Sequence, residues 1–226
     1  MVIYMFDIDG TLLASQGTGS RAMKLAGQQI FGHDFSFGDI DSSGKIDPQI
    51  FGELIAVNDH TNISWNDHDI FQKVYLEILV SELKKKPIVA LPGVVSLLET
   101  LRAMNGVSLG LLTGNYRAAA PHKLESAGLN PLWFPVGAFG DEASTRPGLI
   151  EVARQRYLEL HDSEIEVGEI IVVGDTPRDV ECAHINGCMA IAVATGRWSR
   201  KSLEMAGAEV VLDDLRDPSP ILAFTK

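Results

Sequence analysis

The apolar run from Val2 to Phe6 ends abruptly at Asp7-Ile8-Asp9-Gly10, and the same punctuation recurs along the chain. Val107 to Leu112 stops at Thr113-Gly114-Asn115. Phe134 to Ala138 stops near Gly140-Asp141, and Ile170 to Val173 stops at Gly174-Asp175. Met189 to Val193 runs into Thr195-Gly196, and Val210 to Leu212 into Asp213-Asp214. Short, nearly continuous runs rich in Val, Ile and Leu predict strands buried on both faces, as in a parallel sheet. Helical periodicity fills the intervals over 94–104, 116–127, 147–160 and 177–185. Pro147 suits a first helical turn, and Gly128 suits a helix stop. Strands alternating with helices predict a doubly wound α/β core.

One interval breaks the rhythm. Between Leu13 and Pro87 the pattern is helical, over Arg21 to Phe31, Pro48 to Val57 and Asp67 to Leu83, with no clear strand. A crossover needs roughly a dozen residues, and this interval is several times longer. It predicts a helical insertion over 14–87, set into a core made of 1–13 and 88–226. Gly17-Thr18-Gly19 reads as a flexible link between the two.

In an open α/β sheet, ligands gather at the carboxyl ends of the strands. Asp7, Asp9, Thr113, Asn115 and Asp175 all fall there. Asp7 and Asp9 are two apart, so on extended backbone they point the same way, and Gly10 permits a sharp turn. Asp175 and Asp179 are four apart across an early helical Pro177. Each acid alone is more simply a turn former or helix cap. Several together at one sheet edge repel unless a cation joins them, and hard oxygen ligands suit Mg²⁺. A Mg²⁺ there calls for an anionic substrate, most simply a phosphate.

Charge and cysteine content narrow the partners. Lys and Arg total 19 against 30 Asp and Glu, a net charge of −11. That balance argues against non-specific nucleic-acid binding, which needs a basic face. Two cysteines exclude a disulfide scaffold and fit a reducing compartment. The longest charge-free run, Ser126 to Gly140, is broken by Pro131 and Pro135 and is too short to span a bilayer. The first residues lack the basic stretch of a signal peptide. The expectation is an acidic cytoplasmic protein with no membrane or nucleic-acid partner.

Three segments carry a family resemblance. Phe6-Asp7-Ile8-Asp9-Gly10-Thr11-Leu12 resembles the first motif of the haloacid dehalogenase-like hydrolases. Leu111-Leu112-Thr113-Gly114-Asn115 resembles their second, and Val173-Gly174-Asp175-Thr176-Pro177-Arg178-Asp179 their fourth. Their order and spacing fit the whole chain. The resemblance implies a Rossmann-like core, with the insertion as an α-helical cap of the kind found in phosphoglycolate-phosphatase-like members. It implies Asp7 as a nucleophile that forms an aspartyl-phosphate and Asp9 as general acid and then base. Gly10, Thr113, Gly114 and the backbone of Asn115 would cradle the phosphate. Asp7, the carbonyl of Asp9 and Asp175 would bind Mg²⁺, with Asp179 acting through water or as a supporting partner. A carboxylate is a competent covalent nucleophile, and Mg²⁺ lowers its repulsion with a phosphate dianion.

The third motif departs from the family, which usually carries Lys before Pro at a helix start. Here Ser144-Thr145-Arg146-Pro147-Gly148 puts Arg146 in that place. Arg keeps the charge and adds a bidentate fork for phosphate. A cation at a helix start is opposed by the helix dipole, so a nearby anion explains it better than a surface position does. Lys123 is the alternative, though its surroundings read as an ordinary amphipathic helix. In the insertion, Lys45 within Gly44-Lys45-Ile46-Asp47-Pro48 either closes over the substrate or is a solvated turn residue.

The function expected from all this is a Mg²⁺-dependent phosphatase acting on a small, phosphoglycolate-like phosphomonoester. A β-phosphoglucomutase-like phosphomutase and a non-catalytic phosphate-binding regulator are the alternatives. Gly17-x-Gly19-x-x-Ala22 follows no strand and is no dinucleotide fingerprint. Cys182, His184 and Cys188 lack the spacing and the fourth ligand of a zinc site.

Overall fold

The computed structural model describes residues 1–59 and 65–225; residues 60–64 of the expected insertion and the final residue lie outside them. Along the chain, β1 (Val2–Phe6) leads to a two-residue strand β2 (Leu13–Ala14). Three helices follow, α1 (Thr18–Phe31), α2 (Asp47–Val57) and α3 (Trp65–Lys85), and then β3 (Val89–Ala90). The remainder alternates through α4 (Val94–Arg102), β4 (Val107–Leu112), α5 (Ala120–Ser126), β5 (Val136–Ala138) and α6 (Leu149–His161). It continues through β6 (Ile170–Gly174), α7 (Pro177–Ile185), β7 (Met189–Val193), α8 (Arg200–Met205) and β8 (Val210–Leu212), ending in α9 (Ser219–Leu222).

Six strands form one parallel sheet in the order β5-β4-β1-β6-β7-β8. The alternation of side chains shows why the strands read as unbroken apolar runs. Tyr4, Phe6, Leu109, Leu111, Ile171 and Val173 belong to one buried cluster. Their chain neighbours Ile3, Met5, Leu112, Ile170 and Val172 belong to another on the opposite face. Helices α4, α5 and α9 cover the first face, and α6, α7 and α8 the second. Each large apolar side chain so buried contributes about 1.5–3 kcal/mol. Tyr4 also ties down the chain end, its hydroxyl donating to the Ile221 carbonyl at 2.8 Å.

Differences from the expected elements are local. The helix expected from Pro147 begins at Leu149, because Gly148 and Leu149 first close tighter turns on the carbonyls of Thr145 and Arg146. The one expected from 116 begins at Ala120 after a turn at Tyr116. The short pair β2 and β3 was not expected. It is antiparallel, Leu13 opposite Ala90 and Ala14 opposite Val89, and it staples the two ends of the insertion together. Gly17 caps α1 at φ 71°, a left-handed turn that glycine makes without strain. Apolar residues of the insertion, Leu54, Phe71 and Leu79 among them, join the cluster on the first face of the sheet. The insertion thus packs α3 against α5 on that side of the sheet, and its segments 14–20 and 42–47 border the cavity at the carboxyl edge.

Candidate active site

β1, at the centre of the sheet, delivers Asp7 to its carboxyl edge, where the Asp7 N–H donates to the Val173 carbonyl at 2.9 Å. β6, beside it, delivers Asp175, and β4 delivers Thr113. Gly10 makes the turn after Asp9 at φ 87°, and a Cβ there would lie 2.4 Å from Asp175 Oδ2. The loop after β1 can therefore lie against that carboxylate only as glycine. Thr11 Oγ1 donates to Asp175 Oδ1 at 3.3 Å, and Thr195 Oγ1 pins the Gly10 carbonyl at 2.5 Å.

Asp7, Asp175 and Asp179 each place a carboxylate oxygen within 4.8 Å of the others, all buried. Burial pushes the Asp7 carboxyl up to about 6, against the pull of Arg146. Burial and the neighbouring Asp179 and Asp7 push Asp175 up as well. An all-oxygen donor set under this repulsion fits a hard divalent cation. Asp7 and Asp175 line the cavity at the sheet edge, and Asp179 does not. Both oxygens of Asp179 already have donors. Oδ2 accepts from the Thr176 N–H at 3.0 Å and hydroxyl at 2.8 Å, in the capping box of α7, and Oδ1 accepts from Arg146. Asp179 therefore holds the helix start and the arginine, leaving Asp7 and Asp175 open to the cavity.

Arg146 is where its sequence context points. Only 5% exposed, it brings Nη2 to 3.1 Å from Asp7 Oδ1 while bonding Asp179. The same guanidinium donates to the carbonyls of Leu112 and Gly44, each at 3.3 Å.

Lys123 corrects the sequence reading. It is not the solvated face of an amphipathic helix but is 4% exposed, with Nζ at 2.7 Å from Asp9 Oδ2 and bonded to Asn115 Oδ1. Asn115 completes the ring, its Nδ2 donating to Asp9 Oδ2 and to Thr113 Oγ1, both at 2.8 Å. Burial raises the Asp9 carboxyl, but the Lys123 ammonium and the hydrogen bonds from Lys123, Asn115 and Ser15 outweigh it and hold it below the usual range. Asp9 Oδ1 is buried with no partner among the described residues.

Lys45 borders the cavity, but its ammonium is held by Glu53 at 2.5 and 2.6 Å. The chain around it comes closer to the site than its side chain does. A Cβ on Gly114 would lie 2.0 Å from the Lys45 carbonyl oxygen, and the Asp47 N–H donates to the Gly114 carbonyl at 2.7 Å. Asp47, 7% exposed, and Tyr75 from α3 line the same cavity. Neither was expected from sequence.

A sequence model of the family described as haloacid dehalogenase-like hydrolase matches residues 4–193. A phosphoglycolate phosphatase of Synechococcus elongatus is 29% identical over 220 residues, covering 96% of this chain and 95% of that one. A phosphoglycolate phosphatase of Rhodospirillum rubrum is 33% identical over 134 residues, 59% of this chain and 53% of its own. A solved hydrolase from Pseudomonas syringae superposes with a TM-score of 0.74 at 22% identity, covering 99% of this chain and 98% of that one. At that identity the likeness is one of fold.

Proposed function

The chain belongs to the haloacid dehalogenase-like hydrolases, and on that premise we propose that it is a phosphatase hydrolysing a small phosphomonoester through a phospho-aspartate on Asp7. The observation that carries this reading is the buried contact between Arg146 Nη2 and Asp7 Oδ1 at the floor of the cavity. It sets a fixed cation beside a carboxylate that faces open space, the arrangement a phosphoryl acceptor requires. The relatives named phosphoglycolate phosphatase support the class, and phosphoglycolate is the reference substrate.

In this reading an Asp7 oxygen attacks phosphorus as the bond to the leaving oxygen breaks, and Asp9, ionised at rest, passes to that oxygen the proton carried in by the phosphate monoanion. Asp9 then takes a proton from water, which attacks phosphorus, releasing inorganic phosphate and restoring Asp7. The Lys123 ammonium favours the ionised carboxylate of Asp9, the form that serves as base in the second step. Asn115 and Lys123 fix which Asp9 oxygen stays free. Thr113, Gly114 and the backbone of Asn115 line the phosphate end with Arg146, which gathers charge as the phosphoryl group moves. A Mg²⁺ held by Asp7 and Asp175 would lower the repulsion between nucleophile and phosphate dianion, with Asp179 acting through Arg146 or through water. Residues 14–87 serve as the cap that closes the site from water. Two free, buried cysteines fit a cytoplasmic setting, and no helix among the described residues is long and apolar enough to cross a membrane.

The test is phosphate release from p-nitrophenyl phosphate with and without Mg²⁺. Asp7→Asn should lower turnover by roughly a thousandfold or more while the protein stays folded, because an amide cannot form the acyl-phosphate. Undiminished turnover in a folded Asp7→Asn protein would sink the mechanism.

A further inference from the structure

The cavity holds about 590 Å³, room for a phosphate and a leaving group together. The wall facing the phosphate end belongs largely to the insertion. Each cation lining the cavity is already matched to a carboxylate: Arg146 to Asp7 and Asp179, Lys123 to Asp9, Lys45 to Glu53, and Arg197 to Asp41 at 2.7 Å. Nothing positive is left uncommitted, among the described residues, to receive a second anion.

Two other groups of the insertion are uncommitted. Asp47 makes no ion pair among the described residues; its Oδ2 accepts the Tyr116 N–H at 2.8 Å. The Tyr75 hydroxyl is buried, the residue 1% exposed, and has no hydrogen-bond partner among the described residues. A Cβ built on Gly19 would lie 3.7 Å from that hydroxyl and 3.3 Å from Lys123 Nζ. The hydroxyl and the Asp9–Lys123 pair therefore border the same part of the cavity, and where Asp9 serves the leaving oxygen, as in the reading above, that part receives the leaving group. An unsatisfied buried hydroxyl carries a desolvation cost that a ligand group of matching polarity recovers on binding. Burial has already pushed the Asp47 carboxyl up to about 7. A hydrogen-bond donor beside it relieves that strain, and a second anion deepens it.

We propose that Asp47 and Tyr75 form a leaving-group subsite that takes hydroxyl or ammonium donors and turns away a second anion, so that the substrates are phosphate monoesters of small hydroxylated or aminated alcohols. This rests on the phosphatase reading and narrows its substrate. It sets the chain apart from an enzyme built for the carboxylate of phosphoglycolate. The same lack of uncommitted cations opposes a sugar bisphosphate, and with it the phosphomutase alternative.

Four esters on a two-carbon skeleton test it with the full chain: 2-hydroxyethyl phosphate, phosphoethanolamine, phosphoglycolate and ethyl phosphate. The first two should exceed phosphoglycolate in kcat/KM by roughly tenfold or more, since a site that hydrogen-bonds its substrate discriminates strongly. Asp47→Asn should close most of that gap, with phosphoethanolamine losing the most. Tyr75→Phe should lower the ratio of 2-hydroxyethyl to ethyl phosphate, mainly through KM. Phosphoglycolate as the best substrate, or an unchanged ranking in folded Asp47→Asn, overturns the proposal while p-nitrophenyl phosphate hydrolysis leaves the phosphatase reading standing. If Asp47→Asn does not fold, the wild-type ranking and Tyr75→Phe decide. Absence of turnover on every ester, p-nitrophenyl phosphate included, overturns both.

Discussion

A guanidinium as buried as that of Arg146 persists only where its charge and donors are met, and here Asp7, Asp179 and two carbonyls meet them. Arg146→Ala would leave two buried carboxylates uncompensated. It should destabilise the protein by about 3–5 kcal/mol and lower kcat/KM by roughly a hundredfold or more. Arg146→Lys restores the charge but not the fork, and one ammonium cannot reach four acceptors spread over that width. It should recover only part of both losses, measured by denaturant melts and steady-state kinetics. Native stability and native rates in Arg146→Ala would contradict the assignment. Arg146 was legible because it stands where the resembling family carries a Lys before Pro, and a cation ahead of a helix is better explained by a nearby anion. Lys123 was not, since its spacing on α5 is the same whether its face meets water or a carboxylate. Asp47 and Tyr75 escaped for a related reason. Helical periodicity tells which side of an insertion is buried but not which residues of a distant strand edge it is buried against.

Among the elements, the contact that matters most is between the 44–47 loop and the 113–115 loop. Gly114 has an ordinary backbone φ, so alanine would suit its own conformation, yet a Cβ would lie 2.0 Å from the Lys45 carbonyl. Gly114→Ala should leave the sheet intact by circular dichroism and push the insertion loop off the site. The expected result is a loss in kcat/KM of roughly tenfold or more, on the scale of an ångström's misplacement near the chemistry. Gly52→Ala, in α2 with open space around its Cβ, is the control and should leave kinetics unaltered. Equal behaviour of the two variants would show that the loop contact is dispensable. The sheet strands were legible because β1, β4 and β6 are covered on both faces and so read as apolar runs with sharp polar stops. The pair β2 and β3 was not, since two residues carry no period and their pairing depends on ends of an insertion far apart in the chain.

At the scale of the whole molecule, the chain carries a net charge of −11, and the acids Asp7, Asp175 and Asp179 are buried together where ionisation costs most. The linkage has a definite sign. Burial raises the folded-state carboxyls of Asp7, to about 6, and of Asp175 above their unfolded values. At these two groups the metal-free folded protein holds its protons more tightly than the unfolded chain, so their contribution to stability is lost as pH climbs from about 4 through about 6 and beyond. A divalent cation bound by the ionised cluster would oppose that loss, and protons would compete with it at low pH. Mg²⁺ at a hundred times its dissociation constant should add about 2.7 kcal/mol. For a chain of this length that raises Tm by about 5–10 °C. The rise should be full at pH 7.5, shrink steadily toward pH 5, and vanish at every pH in Asp175→Asn. Calorimetry with Mg²⁺ and with EDTA reads this without any substrate, so it tests the metal site apart from the reaction. An Mg²⁺ effect of equal size at pH 5 and pH 7.5, or one that survives Asp175→Asn, would place the ion elsewhere on the acidic surface.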